Sequence, residues 1–206
     1  MIIAVDGPTA SGKGTIAKAL AAHFGLPHLD TGLLYRAVGQ QCALNGGNAD
    51  SPADALAACD FPDALLVDAE LRSEATGGLA SRVSVHPAVR RALYERQRAF
   101  ATQPGGAVLD GRDIGTVIAP EAQVKLFVVA SIPARAERRF KEMQAAGRTV
   151  ALAEIAADLE ARDQRDRTRA EAPLFAAADA VLLDTSDFSR GDAILEAIRQ
   201  VEAQLA

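Results

Sequence analysis

The stretch Ile2-Ile3-Ala4-Val5-Asp6-Gly7-Pro8-Thr9-Ala10-Ser11-Gly12-Lys13-Gly14-Thr15 decides how this chain is built. Ile2 to Val5 is a short, mostly β-branched apolar run, the pattern of a strand buried on both faces. It ends at Asp6 and Gly7. Lys13 to Phe24 reads as a helix, so Gly7 to Lys13, a GxxxxGK pattern, joins a strand directly to a helix. Glycines there let the backbone curl tightly and aim several N–H groups inward at phosphate oxygens. The helix N-terminus adds its positive dipole end, and Lys13 a compact cation. The stretch is a cradle for a triphosphate.

Residue 14 is Gly where this pattern usually has Ser or Thr. Two arrangements for Mg²⁺ are open: Thr15 supplies the hydroxyl one position later, or the ion relies on water and a carboxylate. Asp110, at the C-terminal end of a predicted central strand, is the candidate carboxylate. A simple turn or N-cap aspartate is the other reading of Asp110.

The rest of the sequence repeats the strand-to-helix rhythm. Strands are expected at 28–30, 107–109, 124–129 and 180–183, with helices at 33–44, 87–102, 133–146, 152–169 and 192–205. Between Asn45 and Arg82 the pattern is broken by Gly46-Gly47, Pro52, Pro62 and Gly77-Gly78, and only Ala64 to Leu71 alternates like a strand. This segment reads as a peripheral insertion. Strands alternating with helices imply an α/β fold, a five-stranded parallel sheet with helices on both faces, whose ligands sit beyond the C-terminal strand ends.

Composition narrows the function classes. The 206 residues suffice for one sizeable domain, and 49% hydrophobic with 24% charged residues is ordinary for a globular chain. A net charge of -5 argues against a general nucleic-acid or anionic-membrane binder. No stretch resembles a signal peptide or a membrane span. Cys42 and Cys59 form neither a disulfide framework nor a zinc motif, which fits a reducing, cytoplasmic setting. All but four of the 22 basic residues are arginine. Compositional drift and a need for planar anion recognition both account for the total, so the positions must choose.

A GTP switch is disfavoured, because neither Asn45 nor Asn48 begins the Asn-Lys-x-Asp element that would read guanine. Several arginines suit a second phosphate: Arg36 after the second strand, Arg112 at a strand end, and Arg162, Arg165 and Arg169 on one helical face. Asp158 to Arg169 is dominated by charged side chains and has no clear apolar stripe after Leu159. It reads either as a solvated surface neutralised by Asp163 and Asp166, or as a mobile flap that closes cations over a transferring phosphoryl group. A phosphate acceptor is largely ionised near pH 7, its second pKa being about 6, so no general base is required. Accordingly His23, His28 and His86 read as structural or exposed.

Four segments together carry a resemblance: Gly7 to Thr15, Asp30-Thr31-Gly32-Leu33-Leu34-Tyr35-Arg36, Asp110-Gly111-Arg112-Asp113-Ile114-Gly115-Thr116, and Arg162-Asp163-Gln164-Arg165-Asp166-Arg167-Thr168-Arg169. In order and spacing they resemble the bacterial cytidylate kinases, within the P-loop nucleoside monophosphate kinases, over nearly the whole chain. The resemblance implies a P-loop NTPase three-layer fold with a core of about 1–36 and 83–206, a nucleoside-monophosphate-binding insertion of about 37–82 and a mobile lid of about 147–170. It implies ATP-dependent, Mg²⁺-requiring phosphorylation of CMP and dCMP by a monomer. ATP would lie on Gly7, Pro8, Thr9, Ala10, Ser11, Gly12, Lys13, Gly14 and Thr15. Ser81, Arg90 and Asp113 fall where the family reads the cytosine edge, a carboxylate for the amino donor and arginine for ring acceptors. Thr31, Arg162 and Asp166 match positions near the sugar, and Arg36, Arg112 and Arg169 would grip the monophosphate or the transferring group. Lys13, Arg112, Arg162 and Arg169 would carry the catalysis. Arg135, Arg138 and Arg139 belong either to the ATP side of the lid or to an exposed face. Thr31 stands where serine is common, and the insertion is shorter than in the longer members. A kinase for AMP, UMP or shikimate, and a nucleotide-binding module without transferase activity, are the competing readings.

Overall fold

The computed structural model describes residues 1–205. Five strands form one parallel sheet: β1 (Ile2–Asp6), β2 (His28–Asp30), β3 (Ala107–Gly111), β4 (Val124–Val129) and β5 (Val181–Asp184), in the order β2-β3-β1-β4-β5. Alternation along the central strands builds two faces from one sequence. Ile3, Val5, Val108, Val124 and Leu126 meet Ile16 and Leu20 of α1 (Lys13–Phe24) and Ala197 and Val201 of α8 (Arg190–Leu205). On the other face Ile2, Ala4, Ala107 and Leu109 meet Ala101 of α5 (Pro87–Ala101) and Ile114 and Ile118. Each such fully buried Ile or Leu contributes about 1.5–3 kcal/mol.

The segment after β2 is more helical than its sequence suggests. It contains α2 (Thr31–Leu44), α3 (Pro52–Ala57) and α4 (Glu74–Val83), and the latter two begin where Ser51 and Ser73 accept backbone N–H groups of Asp54 and Thr76 at 3.3 and 3.1 Å. The strand expected at Ala64 to Leu71 is absent; two 3₁₀ turns, Asp63–Val67 and Ala69–Arg72, replace it. An isolated strand there would find no partner for its backbone. The turns instead bury Leu65 and Leu71 and leave Val67 87% exposed. Leu34, Val38, Cys42, Ala55, Val83, Val89 and Leu93 complete this core, so the segment shares α2 and α5 with the rest.

The charged helix is not the solvated surface that is one of its two readings. α6 (Ile132–Ala145) and α7 (Leu152–Thr168) pack through Ala136, Ile155 and Leu159. Beyond Leu159 the inward positions of α7 carry Arg162, Asp163 and Asp166, all buried. Carboxylates and guanidiniums replace the missing apolar stripe, so this part of α7 is a packed wall built of ion pairs. A second unforeseen element is the π-helical turn Ile114–Ile118, directly after Asp113.

Candidate active site

The carboxyl ends of β1, β2 and β3 open onto one cleft of about 1080 Å³. At one end lies the loop that precedes α1. Gly7 has φ +153°, and a side chain there would run into the carbonyl oxygen of Val128. Only glycine fits that approach. Ala10, at φ +61°, holds a left-handed conformation that costs an L-residue about 1–2 kcal/mol. Its methyl packs against the Ala136, Ile155 and Leu159 cluster of α6 and α7. Lys13 donates to the Pro8 carbonyl at 3.2 Å, and burial, with Arg112 beside it, lowers its pKa to about 8. A half-buried cation with a lowered pKa is suited to an incoming polyphosphate, whose charge would hold the proton on.

Two carboxylates stand together above β2 and β3, because Asp30 pairs with Asp110 in the sheet register. Burial and the neighbouring Asp110 raise the pKa of Asp30. Asp110 Oδ1 hydrogen-bonds His28 Nε2 at 2.7 Å, while its Oδ2 faces Gly14, 3.5 Å from where a Cβ would stand. Thr15 lines the same cleft. No cluster of three or more acidic, His or Cys side chains suited to a metal exists among the described residues. The donor set fits an ion held by one or two carboxylates and substrate phosphates, the mode typical of Mg²⁺, and not a protein-made cage.

The far wall is a mesh of charges. Asp113 pairs with Arg90, and Arg169 Nη2 lies 3.6 Å from its other oxygen. Arg90 also stacks over Tyr35, 5.5 Å from the ring centre. Arg112 reaches Asp166 at 2.7 Å and the Thr9 hydroxyl at 2.6 Å, linking donor loop to α7. Burial opposes ionisation of Asp166, but Arg112 and then Arg169 outweigh it and hold its carboxyl below the usual range. Arg36 donates to the carbonyls of Leu71 and Ser73 at 2.7 and 2.9 Å, and among the described residues it pairs with no carboxylate. Burial and the nearby Arg162 lower its pKa. Arg162 lies 3.2 Å from Glu74. Arg169 Nη2 is buried without a hydrogen-bond partner among the described residues. The Arg169 guanidinium is held by Asp113 at 3.6 Å and by the Ala172 carbonyl, to which Nε donates at 2.6 Å.

Thr9 to Thr15, Thr31, Arg36, Ser81, Arg90, Asp110, Arg112, Asp113, Arg162, Asp166 and Arg169 all line this cleft. Gly7 and Pro8 shape the loop from behind. Thr31 turns its hydroxyl to the Asp110 carbonyl at 2.9 Å. Arg165, three residues after Arg162 on α7, does not line the cleft itself and donates to Ser81, which does, at 3.0 Å. Arg138 and Arg139 line the cleft, whereas Arg135 is buried, its Nη2 2.6 Å and its Nη1 3.1 Å from the two carboxylate oxygens of Asp163, Nη1 also 3.0 Å from the Thr9 carbonyl and Nε 2.8 Å from that of Ala130. Glu74 is a contributor with no place in the sequence-based expectations, and Asp30, His28 and Asp163 take contacts there that those expectations did not assign. The equivalent positions of Asp30 and Asp110 at neighbouring strand ends were the available signal; Glu74 offered none.

A phosphate cradle at the switch point of a parallel sheet, faced by arginines across one cleft, defines a P-loop phosphotransferase acting on a small anionic acceptor. The comparisons narrow the class. The model of the cytidylate kinase family matches residues 3–203. The chain is 54% identical to a cytidylate kinase from Xanthobacter autotrophicus over 100% of this chain and 99% of that one, and 54% identical to one from Azorhizobium caulinodans over 98% of each. A solved structure of an uncharacterised protein from Eubacterium ventriosum shares the fold, with a TM-score of 0.57 at 15% identity over 98% of both chains. This chain belongs to the cytidylate kinase family.

Proposed function

We propose that the chain transfers the γ-phosphoryl group of ATP to CMP and dCMP, giving ADP and CDP or dCDP, as a cytoplasmic monomer that uses Mg²⁺. The observation that carries this reading is the single cleft, with a triphosphate cradle at one end and Arg36, Arg112, Arg162 and Arg169 at the other. In it Gly7 to Thr15 hold the donor phosphates, and Lys13 neutralises charge on the β and γ groups. Asp110, with Thr15 and Asp30 nearby, would hold Mg²⁺, which supplies charge neutralisation between the donor phosphates.

Asp113 accepts the cytosine amino group, and Arg90 and Ser81 complete the edge. Arg36, Arg169 and Arg112 take the acceptor phosphate, and Arg162 and Asp166 the sugar. The acceptor oxygen attacks already ionised, so the protein's task is alignment and charge stabilisation, with α6 and α7 excluding water. His23 and His86 bond Glu202 and the Ala49 carbonyl, and His28 bonds Asp110, so none of the three is given the role of a base. ATP labelled at the γ-phosphorus should deliver its label to the β position of CDP. Label released only as inorganic phosphate would defeat the reading.

A further inference from the structure

Asp6 ends β1, immediately before the first glycine of the donor loop, yet its side chain serves the other half of the cleft. The residue is buried, 5% exposed. Its two oxygens accept backbone N–H groups from Ile114 at 2.9 Å and Gly115 at 2.8 Å. Those N–H groups open the turn Ile114–Ile118, and the residue before them is Asp113. Keeping a carboxylate here is costly: burial pushes its pKa up to about 7 against the two bonds, and the like charge of Asp113 adds to the rise. The approach is close on the opposite side too. A Cβ on Gly115 would lie 3.1 Å from Lys125 Cδ and 3.5 Å from Asp6 Oδ2. Thr116, next in the turn, has a buried hydroxyl with no partner among the described residues, and the Asp113 carbonyl accepts from the Val117 and Ile118 N–H groups at 2.9 and 3.1 Å, so Asp6 ties the start of the turn and these bonds its interior.

We infer that Asp6 is a positioning residue for acceptor recognition: its carboxylate pins the Ile114–Gly115 backbone and so fixes Asp113 at the height where the acceptor's base is read. The inference rests on Asp113 reading that base. Donor and acceptor ends are thereby referenced to one strand end, Asp6 through its side chain and Gly7 through its backbone. Asp6→Asn keeps the shape but sets an amide N–H against one of the two backbone N–H groups.

The experiment measures KM for CMP and the dissociation constant for ATP in Asp6→Asn, Asp113→Asn and the double variant. Asp6→Asn should raise KM for CMP about tenfold, equivalent to about 1.4 kcal/mol, and leave ATP affinity within about twofold. In the Asp113→Asn background it should add less than about twofold, because both changes remove one contact. An unchanged KM for CMP, equal losses for CMP and ATP, or full additivity would each overturn the inference. Should Asp6→Asn fail to fold, Asp6→Ser leaves a single, shorter acceptor for the two backbone N–H groups and must show the same CMP-selective loss. Its lack would overturn the inference as well. If Asp113→Asn alone leaves KM for CMP unchanged, the underlying reading of Asp113 is what has failed.

Discussion

Between Gly7 and Thr15 the donor cradle is made of consecutive residues and mostly of backbone, whereas the opposite wall takes Thr31 and Arg36 from α2, Ser81 from α4, Arg90 from α5, Asp113 from the end of β3 and Asp166 from α7. The cradle's chemistry is conformational: which φ each residue holds and where N–H groups point. The far wall is electrostatic: Arg90, Arg112, Arg162 and Arg169 are held by carboxylates that an incoming substrate must outbid or share, while Arg36 rests on the Leu71 and Ser73 carbonyls. Substitutions should therefore act differently on the two sides. In the cradle only Lys13 is expected to be sensitive to charge, while on the far wall nearly every change of charge disturbs a partner.

The largest effect should come from the buried pair that joins the two regions. Arg135→Ala leaves Asp163 buried and unpaired, which should cost about 3–5 kcal/mol in denaturant unfolding. Replacing both partners by apolar residues should recover most of that stability without recovering turnover, because the bond to the Thr9 carbonyl is still missing. Full turnover in such a double variant would show that α6 and α7 need no tie to the donor loop. Next, Lys13→Ala should lower turnover by about 10²–10³ without lowering the melting temperature, since burial already penalises the charge; near-normal turnover would remove it from catalysis. Asp113→Asn, on the far wall, should raise KM for CMP roughly 10- to 100-fold and spare ATP, the asymmetry that the comparison requires.

A gentler probe uses pH. In the free protein burial and Arg112 bring the Lys13 pKa from 10.5 to about 8. A lowered lysine pKa means that the folded chain binds fewer protons than the unfolded one between those values, so this group makes stability rise with pH across that window. Nucleotide phosphates restore the proton. ATP affinity should thus fall as pH climbs past 8, with a limiting slope of one decade per unit; titration calorimetry at several pH values checks it, and a flat affinity to pH 10 would refute the assignment. Smallest of all, Ala10→Gly relieves left-handed strain but loses the methyl contact with α6 and α7, terms of about 1 kcal/mol each. The melting temperature should hardly move.

The same contrast explains what could be read before the fold was known. The strand, loop and helix from Ile2 to Phe24 were legible because local sequence fully determines them: β-branched run, glycine curl, helix. All five strands and the helices of the core followed from hydrophobic period. Ala64 to Leu71 was misleading because its alternation of apolar residues fits two 3₁₀ turns as well as a strand, and only the lack of a neighbouring strand decides. The helix α7 misled in the opposite way. Period finds apolar stripes, and the buried side of α7 beyond Leu159 is Arg162, Asp163 and Asp166, whose partners Glu74, Arg135 and Arg112 come from elements far away in sequence. His28 and Asp30 were hidden likewise, since their meaning depends on Asp110 lying on the adjacent strand.

The most direct measurement is ADP release, followed in a coupled assay with ATP and Mg²⁺ against a panel of CMP, dCMP, UMP, AMP and shikimate. CMP and dCMP should be consumed one for one with ADP and should outpace the other acceptors. Preference for AMP, UMP or shikimate, or ADP formation indifferent to CMP, would contradict the proposal that this cleft reads cytosine.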